Sequence, residues 1–94
     1  MPIAFLTLEL SIEAAHSLKD KRQVVRSMLD KLRGSFNVAA TEVGHLDDVK
    51  VIEIGIAAVG AEAGPIKGAL QSIQEALRAH PIAEYLGGTV EVGS

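Results

Sequence analysis

Residues 17–36, SLKDKRQVVRSMLDKLRGSF, decide how this chain is read, because they describe one helix with two distinct faces. At about 100° per residue, Leu18, Val25, Leu29, Leu32 and Phe36 share a narrow arc, which Met28 widens. That apolar stripe has to be buried. Lys19, Arg22, Arg26 and Arg33 fall together on one flank of it, with Lys21 nearby. Ser17 followed by Asp20 resembles a capping box, in which the Ser oxygen accepts a backbone N–H of the first turn. The helix is expected to start at about Leu18, with Gly34 as its terminator.

Charge is segregated on this segment. Six of the nine Lys and Arg residues lie between Lys19 and Arg33 beside only Asp20 and Asp30, a net of +4, which leaves −7 on the rest of a chain whose total is −3. A basic helix on an acidic body follows. An overall negative charge ordinarily speaks against nucleic acid, since polyanion binding depends on Lys and Arg displacing counterions. The clustering restores that possibility locally.

Moving outward, residues 3–12 alternate: Ala4, Leu6, Leu8, Leu10 and Ile12 share one parity, and Phe5, Thr7, Glu9 and Ser11 the other. A period of two is that of a half-buried strand with its even positions inward. Residues 37–43, NVAATEV, and 50–59, KVIEIGIAAV, read as a second and a third strand, joined as an antiparallel hairpin by the turn-rich Gly44-His45-Leu46-Asp47-Asp48. Pro65 suits the first turn of a second helix over 65–79, on which Ile66, Ala69, Leu70, Ile73 and Leu77 recur at helical spacing. Pro81 ends it, Gly87-Gly88 provides a turn, and residues 89–92 form a short last strand.

Strand, helix, strand, strand, helix, strand is the order of the ferredoxin-like sandwich, an α+β fold with a four-stranded antiparallel sheet carrying both helices on one face. A single domain over residues 1–94 is expected, large enough for one core. With no cysteine, neither disulfides nor thiolate metal sites contribute. After Met1-Pro2 there is no basic leader with an apolar run, and no stretch approaches the roughly 18 apolar residues of a membrane span. A cytoplasmic location is the expectation.

The run Ser17-Leu18-Lys19-Asp20-Lys21-Arg22, Val24-Val25, Leu29-Asp30-Lys31-Leu32-Arg33, then Phe36-Asn37-Val38 and Thr41-Glu42-Val43, resembles the YlxP-like family of small bacterial proteins of unknown function. The resemblance spans essentially the whole chain and is most specific in SLKDKR joined to a helix ending in FNV. It implies a ferredoxin-like fold, no established enzymatic activity, and genes found among those for translation initiation and ribosome maturation. The chain departs from the family in two places. Gly44 stands before His45 where the family carries Asp, and the tryptophan that follows that turn is missing.

Other candidate sites are weaker. His16, His45 and His80 sit on three separate connections without i, i+4 spacing, so no shared metal site is expected. His45 with Asp47 and Asp48 can be read as a cation loop, but turn chemistry accounts for Asp there. Glu9, Glu53 and Glu91 fall on the exposed face of the sheet, where a solvated or subunit-facing surface is the simpler reading than acid–base chemistry. Gly60, Gly64 and Gly68 lack the Lys-Ser/Thr ending of a phosphate loop. With aromatics at 3% and only Phe5 well placed, base stacking on the sheet is disfavoured.

No catalytic constellation, cofactor or small-molecule substrate emerges, so the chain is expected not to be an enzyme. Two functions remain. One is a module that docks Lys19, Lys21, Arg22, Arg26 and Arg33 on ribosomal or other structured RNA, against the plain alternative of a solvated basic face. The other is a protein-interaction or regulatory module that forms a homodimer through its sheet.

Overall fold

A computed structural model describes residues 1–93. The elements are β1 (Ile3–Ser11), α1 (Leu18–Ser35), β2 (Ala39–Gly44), β3 (Val51–Val59), α2 (Ala63–Arg78) and β4 (Glu84–Gly93). The four strands form one sheet in the order β2-β3-β1-β4, with every neighbouring pair antiparallel. This is the ferredoxin-like βαββαβ sandwich, with both helices on one face.

The period of two places the core. Ala4, Leu6, Leu8 and Leu10 of β1 and Ile52, Ile54, Ile56 and Ala58 of β3 are all buried under the helices. Val25, Met28, Leu29 and Leu32 of α1 and Ile66, Leu70, Ile73 and Leu77 of α2 close over them. The opposite parity, Phe5, Thr7, Glu9, Glu53, Gly55 and Ala57, forms the open face of the sheet. Shared sidedness follows from the pairing, since Phe5 lies opposite Ala57 and Glu9 opposite Glu53.

The start of α1 is held as its sequence indicates. Ser17 is the N-cap and its hydroxyl accepts the N–H of Asp20 at 3.1 Å, while the Asp20 carboxylate accepts the N–H of His16 at 3.1 Å. The first bond satisfies a donor that a bare helix end leaves unpaired, and the second ties the residue before the cap to the first turn. The other end differs from expectation. The helix runs through Gly34 to Ser35 and is closed by Phe36, whose N–H donates to the Leu32 carbonyl at 2.9 Å while its ring packs against the core. A partly buried ring packed on the core gives the last turn a reason to continue that local propensity does not show.

The last strand also differs. It begins at Glu84 and takes in Gly87-Gly88, which the sequence suggests as a turn. Glu9 pairs with Gly87 but Leu10 with Tyr85, so Leu86 is an extra residue, a β-bulge. Gly87 at φ 157° supplies the backbone freedom this needs. A second bulge shapes the β2–β3 hairpin, where Glu42 pairs with Ile54 and Gly44 with Glu53, leaving Val43 over.

Candidate polyanion-binding surface

Lys19, Arg22 and Arg26 project from the solvent side of α1 and, among the described residues, make no ion pair or hydrogen bond. Three cations thus line one flank within two turns. Arg33 continues the row but is partly committed. Its Nη2 donates to the carbonyl of Ala40 on edge strand β2, and its Nη1 lies 3.7 Å from Asp30 Oδ1, with the side chain still about half exposed.

Lys21 does not belong to this surface. It is fully buried at 0% exposure, with Nζ donating to the carbonyls of His45 and Asp48, each at 2.6 Å, and lying 3.0 Å from Glu42 Oε2. That carboxylate oxygen is buried without a hydrogen bond of good geometry, so its compensation is the ionic contact with Lys21. The reason is helical geometry: Lys21, Val25, Met28 and Leu32 are spaced i, i+4, i+7 and i+11, which is the inner stripe. The spacing was there to be read. An ammonium has three protons, and this position offers three acceptors, so burial is tolerated.

Lys21 thereby clamps the β2–β3 turn to the helix. The turn is ordered from within as well, since Asp48 Oδ1 accepts the N–H groups of Lys50 at 2.8 Å and Val51 at 3.2 Å. Lys50 reaches the other way, donating to the carbonyls of Glu13 and Ala15 at 2.6 Å each. Asp48 therefore answers to turn chemistry. His45 takes a left-handed backbone, φ 53°, and its ring swings onto the open face of the sheet.

There the structure assembles a group that the sequence only half suggests. His45 Nε2 lies 3.6 Å from Glu9 Oε1 and 3.4 Å from Glu53 Oε1. Glu91 does not join them, since it pairs opposite Phe5, further along the strand. Opposition of Glu9 and Glu53 follows from strand alternation, but the arrival of His45 depends on the bulge at Val43, which no periodicity reveals.

The other histidines stand apart. His16 contributes its backbone N–H to the α1 cap. Nδ1 of His80 accepts the N–H groups of Ile82 at 3.1 Å and Ala83 at 3.0 Å, shaping the α2–β4 connection. Burial, and secondarily the charge of Lys31, push its pKa below the ordinary imidazole value.

Residues 3–88 match the family described as "Protein of unknown function (DUF503)". The chain belongs to that family. It is 33% identical over 82 residues to the uncharacterized protein YlxP of Bacillus subtilis (strain 168), an alignment covering 87% of this chain and 89% of that protein. The resemblance carried by SLKDKR and the helix after it is thus borne out. Among solved structures, it is similar to a de novo designed protein with ferredoxin fold, at TM-score 0.49 and 15% identity over 99% of this chain and 83% of that one. A REP-associated tyrosine transposase bound to a REP hairpin aligns at TM-score 0.44 and 12% identity, over 98% of this chain and 56% of that one. Neither likeness is needed for the fold, which rests on the strand order and pairing. Among the described residues no helix is long and apolar enough to cross a membrane.

Proposed function

We propose that this protein is a non-catalytic binding module that docks the exposed flank of α1 on the phosphates of structured RNA. The observation that carries the reading is the row Lys19, Arg22, Arg26, ending in the half-exposed Arg33, on a chain of net charge −3. At a rise of about 1.5 Å per residue the row spans about 21 Å, enough to meet several successive phosphates. Lys19, Arg22 and Arg26, without carboxylate partners among the described residues, are available for that contact. Recognition of this kind is electrostatic and weakly sequence-specific.

Binding to a structured RNA, measured across a salt series, tests it. Three exposed cations predict a slope of log K against log salt of about −2 to −3, using roughly 0.7 to 0.9 per phosphate neutralised. An Arg22→Glu, Arg26→Glu protein that binds as tightly as the parent sinks the proposal.

A second reading is favoured by one observation: the open face bears Phe5 and Val43, each 49% exposed, around a trough floored by Gly55 and Ala57. A second copy stacked on this face is the corresponding partner, and sedimentation decides it. A protein that stays monomeric at high concentration, with no change on Phe5→Ser, removes that reading.

A further inference from the structure

The geometry points to a divalent transition-metal site formed by Glu9, His45 and Glu53 on the open face of the sheet, and we propose that it binds an ion of the Zn2+ class. One ligand atom from each residue lies within 4.8 Å of the other two. The individual separations carry more information than the cluster does. His45 Nε2 stands 3.4 Å from Glu53 Oε1 and 3.6 Å from Glu9 Oε1, too far for hydrogen bonds, which run at about 2.7–3.2 Å. Ligands bound at about 2.0–2.1 Å to one tetrahedral ion stand about 3.3–3.4 Å apart. Both His45 separations lie close to that ligand spacing.

Charge gives an independent reason. Glu9 and Glu53 are direct cross-strand partners in the β1–β3 register, and like charges placed opposite one another destabilise a sheet. No Lys or Arg neutralises them, because among the described residues the open face carries neither. A bound cation resolves that repulsion.

The backbone is built to the same end. A Cβ on Gly44 would lie 2.7 Å from Glu53 Oε1, so any larger residue there would displace the carboxylate from its place beneath His45. Lys21 holds the His45 carbonyl from the other side of the sheet. One imidazole and two carboxylates suit Zn2+ and its first-row neighbours rather than Ca2+ or Mg2+, which take all-oxygen sets. Three protein ligands leave a fourth position open to solvent, since Glu9 and His45 are both more than 40% exposed.

Titration of the purified protein with Zn2+ against a chromogenic chelator, with Co2+ absorption as a coordination signature, is the test. One ion per chain is expected. Binding should be abolished by His45→Asn, which keeps a residue tolerant of the left-handed backbone, and by Glu53→Gln. Gly44→Ala, whose Cβ would press on the Glu53 carboxylate, should weaken it by about tenfold, the usual scale for a displaced ligand support. Thermal unfolding guards against misfolded variants. Without metal, Glu53→Gln should raise the melting temperature by relieving repulsion, and with Zn2+ the order should reverse. A parent protein that takes up no Zn2+, or one whose uptake survives both His45→Asn and Glu53→Gln, overturns the assignment.

Discussion

Nζ of Lys21 donates to two turn carbonyls and pairs ionically with the Glu42 carboxylate. Removing that ammonium leaves a buried carboxylate oxygen and the Asp48 carbonyl without partners, while the His45 carbonyl keeps the Asp48 N–H, and breaking a buried pair from one side typically costs about 3–5 kcal/mol. Glu42 retains some solvent contact, with its side chain 16% exposed, so the lower end applies. Lys21→Met should destabilise by about 3 kcal/mol in denaturant unfolding. A loss below about 1 kcal/mol, the usual scale of an exposed pair, would show that this charge is not buried in solution. His80 gives the residue-scale prediction for pH. Its ring accepts two backbone N–H groups at Nδ1, which protonation would forbid, and its folded pKa is depressed by burial and by Lys31. The unfolded chain therefore takes up the proton first, near an ordinary value of about 6.5. Stability from this group is complete above that value and is lost as pH falls through it. Melting temperature should drop between pH 7 and pH 5, and His80→Asn, whose amide oxygen can accept the same N–H groups, should lessen the drop. Equal profiles for the two proteins would place the sensitivity elsewhere.

At the scale of the element, α1 depends on its first turn. The Ser17 hydroxyl is the acceptor for the Asp20 N–H, and Ser17→Ala should cost about 1 kcal/mol in urea unfolding, with the slope of the transition unchanged. This cap was readable because Ser17 and Asp20 stand three apart before an apolar run, a pattern that is local. The β1 and β3 alternations were readable for the same reason: a sheet covered on one face separates its parities without help from distant residues. What could not be read depends on partners far along the chain. Gly87-Gly88 has the composition of a turn, and only pairing with Glu9 and Leu10 makes it a bulged strand. Gly34 has the composition of a helix end, and the partly buried Phe36 ring, packed on the core, accompanies the continuation of α1 past it. Lys21 is the intermediate case. Its spacing from Val25 and Met28 put it on the inner stripe, but the acceptors that make burial bearable come from a turn more than twenty residues away.

The whole molecule is polar across its thickness. Basic side chains line the helix layer, and Glu9, Glu53 and Glu91 lie on the open sheet face behind it. A polyanion attracted to α1 is thereby oriented, since the opposite face repels it. Lys21 is the physical link between the layers, rooted in α1 and holding the carbonyl of the residue whose ring meets the two glutamates. Surface and buried cations of the same helix should therefore separate cleanly. Charge reversal at Arg22 and Arg26 removes exposed groups remote from the turn, so RNA affinity should collapse while unfolding stability changes by no more than about 0.5 kcal/mol, as is usual for surface substitutions. Lys21→Met should do the converse, because a cation sealed from solvent displaces no counterion. Measured where the variant remains folded, its salt slope should match that of the parent, although loosening the His45 turn should weaken Zn2+ uptake. A salt slope reduced by about one unit in Lys21→Met would mean that Lys21 leaves its buried site to meet phosphate, and that α1 binds RNA in a different arrangement from the one seen in the free protein.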